Sequence, residues 1–346
     1  MKPVLFVTNH VPPERVGAFA ALHRRVPIEL AIFGGRSTHA TAGVPDPGVP
    51  HRYVRQREIH ALAASTAYGA VVCGTAGRTA LPAAWLGARR ARIPFVLWTA
   101  LWAHPRTPAH LIGGAPLLAA LYRDADAVVA YGPHVAAFAR ARGARNVHVA
   151  PQAVDNAFWA APVAVASEAP FTTVFLGRPS RAKGAQVLLD AWRSSGLGAT
   201  AALVLVGAGS GSTRVPTGGA VCFVGPQPPV QVRNFLAAAD VLVLPSLRTR
   251  DFREPWGLVA NEAMNQSTPI IASDEVGAVA GGLVRHDRNG LVVAAGDAAA
   301  LSGALRRLHD DPPLRAHLGA NARRDVFAYT FDSWAAGFAA ALRSLR

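Results

Sequence analysis

The chain is poor in several residue types, and each shortage excludes a class of protein. Only two of the 346 residues are cysteine, Cys73 and Cys222. Each lies in an apolar, strand-like run, so we expect two buried free thiols in a reducing compartment rather than a disulfide framework. No apolar run reaches about 18 residues without charge, proline or glycine, which argues against a membrane span.

Acidic residues are also scarce: 35 Lys and Arg face 21 Asp and Glu, a formal net charge of +14. Only two of the 35 are lysine, so the basicity is mostly arginine. A GC-rich genome produces such a composition, and arginine also attracts anionic partners such as nucleotide diphosphates or anionic lipid. The chain has no zinc-finger spacing, aromatic RNA-binding signature or basic tail, so we do not expect a nucleic-acid partner.

The amino terminus, MKPVLFVTNHVPPE, has a short apolar run that two prolines end. This pattern predicts a first β-strand rather than a signal peptide, and we expect a cytoplasmic protein. Three basic clusters lie in the first half of the chain, at His23–Arg25, Arg52–Arg57 and Arg89–Arg92. Each is either a solvated face or part of a patch in peripheral contact with an anionic membrane.

Short apolar runs alternate with longer, helix-like segments along the whole chain. The runs are continuous rather than alternating, as in strands of a parallel sheet buried on both faces. They predict strands at Val4–Thr8, Glu29–Phe33, Ala70–Cys73, Phe95–Thr99, Ala127–Ala130, Val147–Ala150, Thr173–Leu176, Ala202–Val206, Val221–Val224, Val241–Leu244, Pro269–Ala272 and Leu291–Val293. The fold class is therefore α/β, with two Rossmann-like, doubly wound domains.

A break between the domains is expected within residues 156–170, which carry no clear period and are rich in alanine and proline. We place the first domain at residues 1–160 and the second at residues 161–329. Residues 330–346 repeat apolar side chains at three- and four-residue steps and predict a helix.

The segment REPWGLVANEAM contains two glutamates eight positions apart, Glu254 and Glu262. Backbone N–H groups at a helix start can hold an anion, and carboxylates on either side can hold hydroxyl groups. A sugar, a diphosphate and a ribose present their groups in this order, so the segment suits a nucleotide-sugar donor. Trp256, Gly257 and Leu258 lie between the glutamates, and the indole is either a wall of the sugar pocket or a hydrophobic plug.

A second cluster opens the second domain, in FLGRPSRAKG. Gly177 ends a predicted strand, and Arg178 and Lys183 follow in the loop at its carboxyl end, where open α/β sheets bind ligands. Arginine and lysine can neutralise phosphate oxygens, so we interpret the pair as a diphosphate clamp. Gly207 and Gly209 form a glycine turn after the next strand, and Ser246 ends a later strand near the same site.

The first domain offers fewer candidates. Gly17 either lets a helix start approach a phosphate closely or is a packing glycine. The loop WTALWAHPRTP, which follows the strand ending at Thr99, holds two tryptophans, an arginine and His104. Such a loop suits an acceptor pocket in which His104 is a polar contact, although a single histidine is equally typical of a structural role.

At these residues the chain resembles the retaining glycosyltransferases of family 4, which have the GT-B fold. The resemblance runs through the second domain, from GRPSRAKG through ADVLVLPS and REPWGLVANEAM to IIASDEVGAVAGGLV and NGLVVAAGD. It implies that Arg178 and Lys183 neutralise the donor diphosphate, that Glu254 lies by the transferred sugar and that Glu262 binds the ribose. It also implies two domains facing a cleft, with the carboxy-terminal helix returning to the first domain.

The first domain departs from that family, in which many members carry a Gly-Gly pair before the first helix and a histidine directly after the strand matching Phe95–Thr99. Here the corresponding residues are Val16-Gly17-Ala18 and Ala100-Leu101.

The resemblance implies metal-independent transfer of a hexosyl group, with retention, from a GDP- or UDP-type nucleoside diphosphate sugar. The donor is a co-substrate, and no other cofactor is expected. The sequence leaves the acceptor open among a lipid-linked glycan, a polysaccharide and a small molecule. A nucleotide-sugar epimerase and a non-catalytic sugar-nucleotide-binding subunit are the alternatives.

Overall fold

The computed structural model describes residues 2–34, 46–77, 79–164, 171–199, 201–207 and 221–345. The chain divides into two compact units. Unit 1 comprises Met1–Asp155 and Tyr329–Arg346, and unit 2 comprises Asn156–Ala328. The change from one unit to the other falls where the predicted linker begins.

Unit 1 is built on a seven-stranded sheet in which every paired strand is parallel. Its order, β3-β2-β1-β4-β5-β6-β7, is that of a doubly wound Rossmann-like sheet. The strands are β1 Val4–Thr8, β2 Ile28–Ile32, β3 His51–Tyr53, β4 Ala70–Gly74, β5 Phe95–Thr99, β6 Ala127–Ala130 and β7 Val147–Val149. The helices are α1 Pro13–Arg25, α2 Ile59–Ala63, α3 Ala80–Ala91, α4 Ala115–Asp124, α5 Pro133–Arg140 and, from the end of the chain, α13 Phe331–Arg343.

Six of these seven strands were predicted, because their sequences are mostly apolar. Strands β1, β4, β5 and β6 are almost entirely buried, whereas the edge strand β7 is half-buried. Strand β3 was not predicted, and the physical reason is its position. It is an edge strand in which His51, Arg52 and Tyr53 are all exposed, so it has no apolar pattern to detect. Exposed polar side chains are typical of a sheet edge.

Helix α13 packs into the core of unit 1. Trp334 and Phe338 are fully buried there, and Phe338 lies 5.5 Å, centroid to centroid, from Phe6 of β1. The helix begins at Phe331, whose ring lies where a Cβ on Gly17 of α1 would stand. Gly17 therefore allows two helices to approach closely, so packing explains this glycine and the expected phosphate contact has no support here.

Unit 2 repeats the architecture with a six-stranded parallel sheet of order β10-β9-β8-β11-β12-β13. The strands are β8 Thr172–Leu176, β9 Ala202–Val206, β10 Val221–Val224, β11 Val241–Leu244, β12 Ile270–Ser273 and β13 Gly290–Val293. The helices are α6 Asn156–Trp159, α7 Ala185–Ser195, α8 Pro229–Ala237, α9 Val259–Asn265, α10 Gly277–Ala280, α11 Ala298–Asp310 and α12 Pro312–Val326. The predicted pair of doubly wound domains is confirmed.

The cysteines need a correction. Cys73 is buried in β4, and its buried position raises the pKa of the thiol. Cys222 is exposed, because β10 is the edge strand of the second sheet. The expectation of two buried thiols was therefore wrong for Cys222.

Among the described helices, none combines the length and apolar character that crossing a membrane requires.

Candidate functional site

The candidate site lies in unit 2, at the carboxyl edge of its sheet. The strand order reverses between β8 and β11, and the loops that follow these two neighbouring strands hold most of the predicted residues. Lys183 is in the loop after β8, and Ser246 and Glu254 are in the loop after β11. Ligands of open parallel sheets bind at such a switch point.

A close backbone contact joins these two loops. Gly184 has a φ of +70°, and a Cβ at this position would overlap the carbonyl oxygen of Pro245. The backbone N–H of Leu247 donates to the carbonyl of Ala182 at 2.8 Å. The two loops are thus fixed against each other on either side of Lys183. Sequence reasoning did not select Gly184, whose only signal is a glycine directly after the lysine.

Lys183 and Glu254 form an ion pair across the two loops. Their side chains differ in exposure, at 34% for the lysine and 9% for the glutamate. Ser246 is buried, and its hydroxyl donates to Oε2 of Glu254 at 3.3 Å. The Lys183 ammonium also lies 5.7 Å from the ring centroid of Phe252. The carboxylate is therefore held from two directions, with the cation on its solvent side.

The backbone around Glu254 is fixed by the segment that follows β12. Glu254 forms a β-bridge with Val276, and its carbonyl accepts from the N–H of Gly277 at 3.1 Å. A Cβ on Gly277 would overlap the carbonyl oxygen of Pro255, so only glycine allows this approach. Arg253 pairs with Glu275, which keeps the latter carboxylate engaged next to the same segment.

Trp256 is a hydrophobic plug rather than a pocket wall. Its side chain is buried, and the indole N–H donates to Oδ1 of Asn261 at 2.8 Å. Asn261 is on α9, so this bond ties the Gly257 turn, where φ is +91°, to the helix that follows. The contribution of Trp256 to a ligand site is thus through its backbone and through the position of this turn. Asn261 was not predicted from sequence.

Glu262 lies in the first turn of α9 and is half-buried. Its backbone N–H donates to the carbonyl of Leu258 at 3.2 Å, which begins the helix. The first N–H groups of a helix have no intrahelical acceptor. The segment from Glu254 to Glu262 therefore has the predicted form, a fixed loop that runs into a helix.

Gly177 and Gly207 lie side by side where β8 and β9 end. Both have positive φ, +137° and +92°, which favours glycine. A Cβ on Gly207 would come within 3.1 Å of the carbonyl oxygen of Gly177, whereas a Cβ on Gly177 would meet nothing within 4 Å. Arg178 is exposed in the loop that begins there. Gly209, the second glycine of the predicted turn, lies outside the described residues.

In unit 1, His104 belongs to a cluster of three cationic or titratable side chains. Nε of Arg142 donates to Nε2 of His104 at 2.9 Å, and Nδ1 of His104 lies 2.9 Å from Nε2 of His110. Burial, Arg142 and His110 lower the pKa of His104 below its ordinary value. Because Arg142 occupies Nε2, this nitrogen is not free to accept a proton from another group. The guanidinium also stacks over the ring of Phe138, 3.3 Å from its centroid.

Residues 161–325 match the profile of the family described as Glycosyl transferases group 1. Stretches of the chain are also similar to D-inositol 3-phosphate glycosyltransferases. The protein from Acidothermus cellulolyticus is 33% identical over 184 residues, 47% of this chain and 39% of that protein. The one from Streptomyces coelicolor is 37% identical over 130 residues, 35% of this chain and 26% of that protein. The chain thus spans between 24% and 39% of the length of the curated relatives it matches.

Solved structures resemble almost the whole chain. Anabaena HepE in complex with UDP-glucose aligns with a TM-score of 0.76 at 18% identity, covering 99% of each chain. Sucrose-phosphate synthase from Thermosynechococcus elongatus aligns with a TM-score of 0.75 at 21% identity, covering 100% of this chain and 99% of that one. At these identities the likeness establishes the fold, which is GT-B. Most of unit 2 therefore matches the Glycosyl transferases group 1 family, in a chain with the GT-B fold.

Proposed function

We propose that the protein is a retaining glycosyltransferase that transfers a hexosyl group from a nucleoside diphosphate sugar to an acceptor hydroxyl without a metal ion. One observation carries the proposal. Lys183, Glu254 and Ser246 meet at the switch point of the sheet in a Glycosyl transferases group 1 domain. A lone surface ion pair would carry no functional weight, but this one joins two loops at the ligand-binding edge of the fold.

The exposure of the pair suits a diphosphate. The Lys183 ammonium is the more exposed partner, so an incoming anion meets the cation before it meets the buried carboxylate. An ammonium has three N–H donors, and one bond to Glu254 leaves two for phosphate oxygens. Arg178, exposed in the same loop, adds a second cation. These groups would stabilise the charge that grows on the leaving diphosphate, which is the role a metal ion fills in other enzymes.

Retention follows from chemistry on one face of the sugar. The bond from the anomeric carbon to the diphosphate breaks, and the acceptor oxygen forms its bond from the same side. The acceptor proton passes to an oxygen of the leaving phosphate, so the protein needs no nucleophile. Glu254 would lie by the transferred sugar, and Glu262 would hold the ribose hydroxyls. A GDP- or UDP-type donor fits these contacts, and the UDP-glucose complex of Anabaena HepE supports a uridine donor.

The test compares Lys183→Ala with a matched control, Arg193→Ala. Arg193 is a cation in the last turn of α7, paired with Asp190 at 2.7 Å, at the opposite end of that helix from Lys183. The melting temperature of each protein is measured in EDTA with and without UDP, GDP and their sugars, since a ligand of the native state raises it. A charge-assisted hydrogen bond is worth about 1.5–3 kcal/mol, so Lys183→Ala should weaken nucleotide binding about 10- to 150-fold.

The control should bind as the wild type does, with each shift measured against the variant's own ligand-free temperature. For the ligand that binds, the sugar product is then analysed by proton NMR with candidate acceptors, and retention predicts the same anomeric configuration in donor and product. An epimerised donor without transfer would identify the alternative enzyme class. Equal nucleotide shifts for wild type and Lys183→Ala would contradict the proposal.

A further inference from the structure

Unit 1 exposes an apolar tip between β5 and α4. The chain forms a π-helical turn at His110–Gly114 before α4 begins. Leu111 and Ile112, on this turn, are 53% and 80% exposed, and a Cβ on Gly113 would meet nothing within 4 Å. Two branched aliphatic side chains on one turn therefore expose most of their apolar surface to water. Neither residue belongs to the candidate donor site, which lies in unit 2.

The region around the tip is strongly basic. Residues 59–154 contain nine arginines and two acidic residues, Asp124 and Asp126. Both acidic side chains bond to Arg89, at 2.8 and 2.9 Å. This stretch of the chain therefore carries a clear excess of positive charge. The asymmetry extends to the whole unit, since unit 1 carries 19 Lys and Arg against 8 Asp and Glu, whereas unit 2 carries 16 against 13.

Two of these arginines, Arg142 and Arg123, lie near the tip and along α4. His110, the first residue of the turn, contacts His104, which in turn accepts from Arg142. Farther along α4, the Arg123 side chain lies against Gly143, the neighbour of Arg142. Arg142 is thus linked to the apolar tip through two histidines, and Arg123 lies at the other end of α4. This combination of aliphatic side chains at the end and cationic groups beside them is the one that an interfacial membrane anchor presents.

We propose that the Leu111–Ile112 tip and its arginines dock unit 1 on an anionic lipid bilayer. Each half of the surface then has a partner: the aliphatic side chains enter the boundary between headgroups and acyl chains, and the arginines face anionic headgroups. A nucleic acid would satisfy the arginines and leave the aliphatic tip in water. A second copy would satisfy the tip but would place two positive surfaces against each other. The inference is independent of the proposed transfer reaction.

The test is sedimentation of the full chain with sucrose-loaded vesicles of phosphatidylcholine, with or without phosphatidylglycerol. Replacing both tip residues, Leu111→Ser with Ile112→Ser, should lower the partition coefficient on anionic vesicles by about tenfold or more. The control is Val230→Ser on α8 of unit 2, an aliphatic side chain that is 48% exposed and should have no effect. Raising the salt from about 0.1 M to about 0.5 M should also release the protein, because it screens the arginines.

Three outcomes would overturn the inference. The wild type could fail to bind anionic vesicles, or it could bind neutral vesicles as well as anionic ones. The third is a tip variant that binds anionic vesicles as well as the wild type does. A tip variant that loses only a concentration-dependent dimer, measured by sedimentation velocity without lipid, would assign the surface to a second copy instead. Both tip residues are exposed, so we expect the variant to keep the wild-type melting temperature and nucleotide response. Loss of vesicle binding with an unchanged nucleotide shift therefore separates this inference from the proposed function.

Discussion

The Lys183–Glu254 pair predicts an unequal response to removal of its two members. In Lys183→Ala, the Glu254 carboxylate, 9% exposed, loses the Lys183 counter-charge, while the hydrogen bond from the Ser246 hydroxyl remains. Breaking a fully buried pair costs about 3–5 kcal/mol, and because the lysine is one-third exposed we discount this to about 2 kcal/mol. Glu254→Gln removes the buried charge of the carboxylate itself, and the lysine turns to water, so we expect a cost of about 1 kcal/mol or less.

The sharper consequence concerns the double variant. Adding Glu254→Gln to Lys183→Ala removes the buried carboxylate that has lost its lysine, so the double variant should be more stable than Lys183→Ala alone. Amide hydrogen exchange of β8 and β11, followed by mass spectrometry, measures the opening free energy of unit 2 separately from that of unit 1. Additive costs would refute this account, because they would mean that the two side chains do not depend on each other. So would a Glu254→Gln variant that is less stable than Lys183→Ala.

Two further predictions concern the loops of the two units. Gly184→Ala should destabilise unit 2 by at least about 2 kcal/mol, since it combines a positive φ with overlap on the Pro245 carbonyl; Gly177→Ala, which has space around it, should cost less in the same exchange experiment. In unit 1, the pKa of His104 is lowered by burial and by Arg142, so the folded chain binds fewer protons than the unfolded chain. The stability of unit 1 should therefore fall as the pH drops below about 6.5, and hydrogen exchange of β5 and β6 should become faster. His104→Gln should weaken this pH dependence, and an unchanged dependence would mean that His104 is not its cause.

The fold was largely predictable because burial in a parallel sheet produces a recognisable pattern, a continuous run of apolar residues. A strand covered on both faces must be apolar at every position, and runs such as Val241–Leu244 are apolar throughout. Strand β3 lacks that pattern because it is an edge strand whose side chains are exposed to water. Cys222 was misplaced for the same reason: its run is apolar, but β10 lies at the edge of the second sheet and leaves the thiol exposed.

Contacts between distant segments were the part that the sequence could not settle. Gly17 had two interpretations until Phe331, some three hundred residues later, was found against it. Trp256 was equally open, and the deciding partner was Asn261, an ordinary helix residue in the sequence. A glycine or an indole is compatible with a ligand and with a packed neighbour. The choice depends on what occupies the adjacent volume, and local pattern carries no information about that.

The candidate site was predicted in part: the sequence indicated where it lies but not which side-chain atoms pair, and the sheet topology explains why. Lys183 and Glu254 are 71 residues apart, yet both follow strands whose carboxyl ends a parallel sheet brings to one edge. Strand assignment therefore predicted the neighbourhood, but which atoms pair depends on the Gly184–Pro245 contact that fixes the two loops. That contact requires a glycine of positive φ directly after the lysine. Gly184 thus determines the position of the Lys183 ammonium, although it has no reactive side chain. Gly184→Ala should therefore displace the ammonium without removing it.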